Sequence, residues 1–165
     1  LMKMKLSFGT SKQICGEASL VIEASSVDVF CFIANNFYIN YPKWAPEVIE
    51  LEALDGNQVR VGIKGRQVRE DYDAQVESIF EVVEYEPHSK FAIQGLSTPY
   101  KQSYLVEGEV SSKPAKLTFR FELLEIEIFM RPFEKLIRVA IEDGAENTVE
   151  KIRDLVYAHQ LQIAS

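Results

Sequence analysis

Histidine and cysteine are scarce in this chain, two of each in 165 residues. Cys15, Cys31, His88 and His159 are too dispersed for the close ligand spacing of a zinc site. No metal is expected. Too few cysteines are present for a disulfide-stapled scaffold. Cys15 and Cys31 sit in apolar stretches, one strand-like and one helix-like, and read as buried free thiols of a cytosolic protein. Histidine is the usual general base near neutral pH. Here His88 falls in a polar turn, EPHSK, and His159 near the chain end, so both are expected to be exposed.

Other absences exclude further classes. No apolar run approaches the roughly 20 residues that span a bilayer, and no integral membrane association is expected. Lys and Arg form no run, and the net charge is −7, which repels a phosphate backbone. Nucleic acid is therefore not an expected partner. The G-x-S-x-G, P-loop, H-E-x-x-H and G-x-G-x-x-G patterns are all missing, so no nucleotide or covalent cofactor is expected. The opening LMKMKLSFGTSKQ has charge but neither a continuous apolar core nor a small-residue cleavage site, unlike a secretory signal. A cytoplasmic location follows as the expectation.

What is present is periodicity. QICGEASLVIE alternates Ile14, Gly16, Ala18, Leu20 and Ile22 against Glu17, Ser19 and Glu23, the pattern of a half-buried strand. ASSVDVFCFIANN then shows Val29, Phe30, Phe32 and Ile33 at helical spacing, with Ser25 and Asp28 placed to cap the start. FYINYPKWAP continues as a broken second helix or structured turn, because prolines disfavour helix at the preceding Tyr41 and Ala45. This stretch holds the only tryptophan, Trp44. An indole is best placed where its ring is covered and its N–H finds an acceptor, so Trp44 reads as a plug, in the core or at a pocket mouth.

From Val48 six strand-like segments follow in short succession, an antiparallel meander. VIELEAL, a DGN turn and VRVGIKGR read as its first hairpin. AKLTFRFELLEIEIF sets Leu117, Phe119, Phe121 and Leu123 against Thr118, Arg120 and Glu122. After Phe129 the period changes to that of a helix. Met130, Phe133, Ile137, Ala140 or Ile141, Gly144, Thr148, Ile152, Leu155 and His159 form one stripe of a helix of about 28 residues, about 42 Å long. Pro132 suits its first turn.

The polar candidates lie on the strands. Tyr100, Gln102 and Tyr104 share a face, opposite Lys101, Ser103 and Glu107. Glu77 and Glu81 alternate with Ile79 and Val83, which makes either a candidate carboxylate for an interior site, with a raised pKa if desolvated. Arg66 and Arg69, beside Glu70 and Asp71, read as a solvated charged turn. Gly144, unfavourable by about 1 kcal/mol in a helix interior, either lets the helix pack closely on the sheet or leaves room for a ligand.

The order of elements and several stretches resemble the START-like superfamily, also called Bet v 1-like, SRPBCC or helix-grip proteins, and within it the polyketide cyclase/dehydrase-like branch. The stretches are ASSVDVFCFIAN, WAPEVIELE, FEVVEYEPHSKFAI and MRPFEKLIRVAIEDGAENTVEKIRDLV, and none is a catalytic motif. The resemblance implies an α+β fold in one domain over residues 1–165, with 1–12 as an extension. About seven antiparallel strands would curve around the long C-terminal helix, with two short helices after the first strand. It implies a cavity between sheet and helix for a hydrophobic small molecule or lipid. The expected lining is Trp44, Tyr100, Tyr104, Phe119, Phe121, Phe133, Ile137, Ala140 and Gly144. Binding or transport of such a ligand is the expected function. A cofactor-independent cyclase, aromatase or dehydratase, and a protein-interaction module without a small ligand, are the alternatives.

Overall fold

The computed structural model describes residues 13–165; the expected N-terminal extension and the opening segment lie outside the described residues. Seven strands form one antiparallel sheet: β1 (Ile14–Ile22), β2 (Val48–Ala53), β3 (Lys64–Asp71), β4 (Ala74–Glu86), β5 (Lys90–Gly95), β6 (Tyr100–Gly108) and β7 (Ala115–Leu123). Their spatial order is β1-β7-β6-β5-β4-β3-β2. The meander from β2 to β7 runs across the sheet, and β1 closes its far edge by pairing with β7, Ala18 opposite Phe119.

Between the two edge strands the chain must cross the whole sheet, and two short helices carry it. α1 (Ser26–Phe30) starts at Ser25, whose hydroxyl accepts from the Asp28 N–H at 3.2 Å. It widens into a π-helical turn over Cys31–Asn35. α2 (Phe37–Trp44) then runs through Pro42. Tyr41 is helical although a proline follows it, contrary to its sequence expectation. Its ring stacks on Phe37 at 4.6 Å, and Pro42 lies near the helix end, where few hydrogen bonds remain to be lost. Ala45, before Pro46, is extended as expected, with φ −127° and ψ 74°.

Alternation places β1, β6 and β7 as read: Tyr100, Gln102, Tyr104 and Val106 face inward, as do Leu117 and Phe119. Two strands differ. The second arm of the first hairpin begins at Lys64, not Val59, and the DGN segment belongs to a longer loop that Asp55 ties down by accepting from the Lys64 N–H at 2.8 Å. In β4 the inward face is Ser78, Phe80 and Val82, so Glu77 and Glu81 point away from the interior. Neither is an interior carboxylate. Ring volume decides the face, because Phe80 fills the space over Gly65. A Cβ at Gly65 would run into the Phe80 ring.

The long helix, α3, spans Glu134–Ala164, 31 residues. A 3₁₀ segment, Ile128–Phe133, precedes it and holds Pro132. The buried stripe of α3 is Ala145, Val149, Ile152 and Val156; it shares Ile152 with the expected stripe, is otherwise one position off it, and begins only at Ala145. The first half passes over β1 at Gly16, where a Cβ would meet Ile141 and Glu142 at 3.0 Å. No described helix is long and apolar enough to cross a membrane. Both cysteines are free and half-buried, less covered than expected.

Gly65→Ala should destabilise the protein by about 1–3 kcal/mol, the usual cost of overpacking. Its Cβ must displace a ring that is itself held by Phe37 and Tyr38. Urea unfolding of the variant reads this directly; an unchanged midpoint would mean the Phe80 ring is free to move.

Candidate functional site

A cavity of about 340 Å³ lies between the sheet and α3. β6 and β7 supply Gln102, Tyr104, Phe119 and Phe121; β3 supplies Arg69; α2 and the turn after it supply Tyr41, Trp44, Ala45 and Glu47. α3 closes the other side with Ile141, Gly144, Ala145, Asn147, Thr148 and Lys151. A Cβ on Gly144 would meet nothing within 4 Å. Of the two readings open for this glycine, the close-packed one does not describe it.

Trp44 is both plug and wall. It is 3% exposed, its ring packs edge-on to Tyr41 and Tyr104 at 5.8 and 6.0 Å, and it borders the cavity. Its indole N–H donates to the Tyr104 hydroxyl at 3.3 Å. From there a line of side chains runs through the interior. Tyr104 donates to Gln102 Oε1 at 3.3 Å, and Gln102 Nε2 to the Tyr41 hydroxyl at 3.3 Å. Tyr41 donates to Gln67 Oε1 at 3.4 Å, and Gln67 Nε2 to the Tyr100 hydroxyl at 2.9 Å. Strand alternation brings Gln67 and Arg69 to the inner face of β3, and the helical turn of α2 sets Tyr41 above them.

Burial pushes the hydroxyls of Tyr41, Tyr100 and Tyr104 up from the ordinary phenol value near 10, because a phenolate has no water there. For Tyr100 and Tyr104 the neighbouring Tyr41 adds to the rise. These groups are hydrogen-bond donors at neutral pH, not bases. Glu47 is the carboxylate of the lining, and it accepts from Arg69 Nη2 at 2.9 Å.

The expected lining residues divide. Trp44, Tyr104, Phe119, Phe121 and Gly144 border the cavity. Tyr100 stands behind it, bonded to Gln67 and stacked on Phe121 at 6.0 Å. Phe133, Ile137 and Ala140 do not border it: the cavity ends at Ile141, and Phe133 is 51% exposed. His159 is exposed as expected, whereas His88 is half-buried against Phe30. Among the described residues no three His, Cys, Asp or Glu side chains are grouped to hold a metal ion.

Several site residues were not singled out from sequence, Asn147 and Lys151 on α3 among them. Tyr41 and Gln67 lie in segments read as turn, and Arg69 in one read as solvated charge. Glu47 follows the WAP stretch with no pattern around it. The signal that could have found Arg69 is its period-two relation to Gly65 and Gln67.

The sequence matches no family model and no curated protein. Solved structures match it by shape. The Zhui aromatase/cyclase from Streptomyces sp. R1128 superposes with a TM-score of 0.70 at 9% identity, over 88% of this chain and 94% of that one. A norcoclaurine synthase point mutant from Thalictrum flavum, in complex with a transition-state analogue, gives 0.67 at 15%, over 92% and 98%. Major latex-like protein 151 from Panax ginseng gives 0.62 at 12%, over 86% and 96%. The chain has the helix-grip fold. At these identities the likeness covers architecture, as the START-like and Bet v 1-like resemblance implied, and leaves the chemistry to the site.

The raised tyrosine values set a direction for stability against pH. Above about 10 the unfolded chain releases phenolic protons that the folded one retains, so the unfolded state gains and stability falls as pH rises. Denaturant unfolding should give a stability that declines from about pH 10 onward through these tyrosines, after a smaller fall near pH 9 from Cys31, whose thiol is also pushed up by burial. Tyr41→Phe should flatten that decline, since it removes one group with a raised value; an equally steep decline would mean other groups cause it.

Proposed function

We propose that the protein binds a hydrophobic small molecule in the cavity between β6, β7, α2 and α3. The observation that supports this most is the cavity's composition: about 340 Å³ of space with aromatic rings on its sheet side and a hydrogen-bonded polar floor. That size lies in the range of small-molecule pockets, about 300–1,000 Å³, which typically pair apolar walls with a few oriented polar groups. The floor offers more hydrogens than it uses. Trp44, Tyr104, Gln102, Tyr41, Gln67 and Tyr100 carry eight polar hydrogens among them, and five go into the bonds along the line. Gln102 retains a free N–H at the cavity wall. The hydroxyl and amide oxygens of the line also keep unused lone pairs, so the floor suits a ligand with carbonyl or hydroxyl groups.

A second reading, a cofactor-independent cyclase- or dehydratase-like enzyme, is favoured by the Glu47–Arg69 pair on the lining, which sets a carboxylate beside neutral tyrosine donors. An aromatase/cyclase and a norcoclaurine synthase stand among the structural neighbours. The two readings part on what comes off the protein. Native mass spectrometry after purification from its own host should reveal a bound molecule for a carrier, released unchanged on denaturation. A catalyst should convert its ligand and lose turnover, not binding, in Glu47→Gln.

Gly144→Leu tests the location. The substitution removes a helix-interior glycine, favourable by about 1 kcal/mol, and places four carbons in open space. Thermal stability should hold or rise while ligand affinity falls at least tenfold. Affinity that survives the change would place the ligand elsewhere.

A further inference from the structure

We infer that the ligand carries a carboxylate and that Lys151 selects for it. This rests on the cavity being a binding site and goes on to the charge of what it takes. Three ionisable side chains with a full charge at neutral pH border the cavity: Glu47, Arg69 and Lys151. Glu47 and Arg69 neutralise each other at 2.9 Å. Lys151 makes no ion pair among the described residues. The lining therefore holds one uncompensated positive charge, in a chain whose net charge is −7.

Its surroundings point the same way. Asn147 and Thr148 lie one turn before Lys151 on α3 and also border the cavity, and neither makes a side-chain hydrogen bond among the described residues. Asn147, Thr148 and Lys151 thus present amide, hydroxyl and ammonium hydrogens on one helix face. A carboxylate accepts up to about four hydrogen bonds from such groups. Opposite them, Gln102 carries one amide hydrogen beyond the one it gives to Tyr41. A cationic ligand would find its one possible counter-charge, Glu47, already held by Arg69. Lysine is a point charge on a flexible stem, so it can pair with one carboxylate oxygen without fixing the angle of the group.

The test compares two probes with one ring system, 2-naphthoate and the neutral 2-naphthamide, by calorimetry at low salt. Lys151 is exposed, so its pairing energy is of the modest size seen for solvent-facing ion pairs. Wild-type protein should favour naphthoate about three- to fivefold. Lys151→Gln should abolish that preference, and Lys151→Arg should keep most of it, which separates charge from side-chain packing. The inference is overturned by a wild type that binds naphthamide as tightly as naphthoate, or by a Lys151→Gln variant that still prefers the anion. Binding of the probes without charge preference leaves the cavity reading standing. Failure of both probes to bind overturns the two together.

Discussion

A continuous line of buried polar side chains, Trp44 to Tyr104 to Gln102 to Tyr41 to Gln67 to Tyr100, is the constraint on which the interior depends. Each buried donor or acceptor left alone costs about 1–3 kcal/mol, whereas a satisfied neutral bond contributes only about 1. The line is therefore less a source of stability than a requirement on geometry. α2 must sit so that Trp44 and Tyr41 reach strands that lie far apart in sequence. Moving the helix along the sheet by one residue would strand several groups at once.

The lengths within that line differ in a useful way. Gln67 to Tyr100, away from the cavity, is 2.9 Å. The four bonds nearer the cavity are 3.3 or 3.4 Å, long for their type. The end anchored in the sheet is well made, and the end facing open space is slack. Slack donors can exchange a protein partner for a ligand oxygen at little cost. The same division marks α3, which is fastened from Ala145 onward by Ala145, Val149, Ile152 and Val156. Gly144, Asn147, Thr148 and Lys151 on its neighbouring face are left to border the cavity.

Much of the architecture was legible in the sequence because periodicity reports which face of an element is buried. Seven strands, two short helices, one long helix and the inward set Tyr100, Gln102, Tyr104, Leu117 and Phe119 all follow from alternation and helical spacing. The misread parts share a cause. Arg66, Arg69, Glu70 and Asp71 have the composition of a turn but lie on β3, because pairing with β4 supplies backbone hydrogen bonds that charge cannot veto. Outward Arg66 finds Glu50, Glu52 and Glu77, while inward Arg69 finds Glu47. Tyr41 was judged by the proline after it, and ring stacking on Phe37 outweighed that local preference.

The sequence by itself determined the element types, the inward face of most strands and the tyrosine–glutamine pattern of β6, since these depend on neighbours two to four residues away. Tertiary structure alone decided where the cavity begins and ends. Phe133, Ile137, Ala140 and Gly144 share a helix stripe, yet of these only Gly144 borders the cavity. Enclosure depends on what stands across the gap, and those partners, Trp44, Tyr104, Phe119 and Phe121, come from segments that no local period relates to the helix.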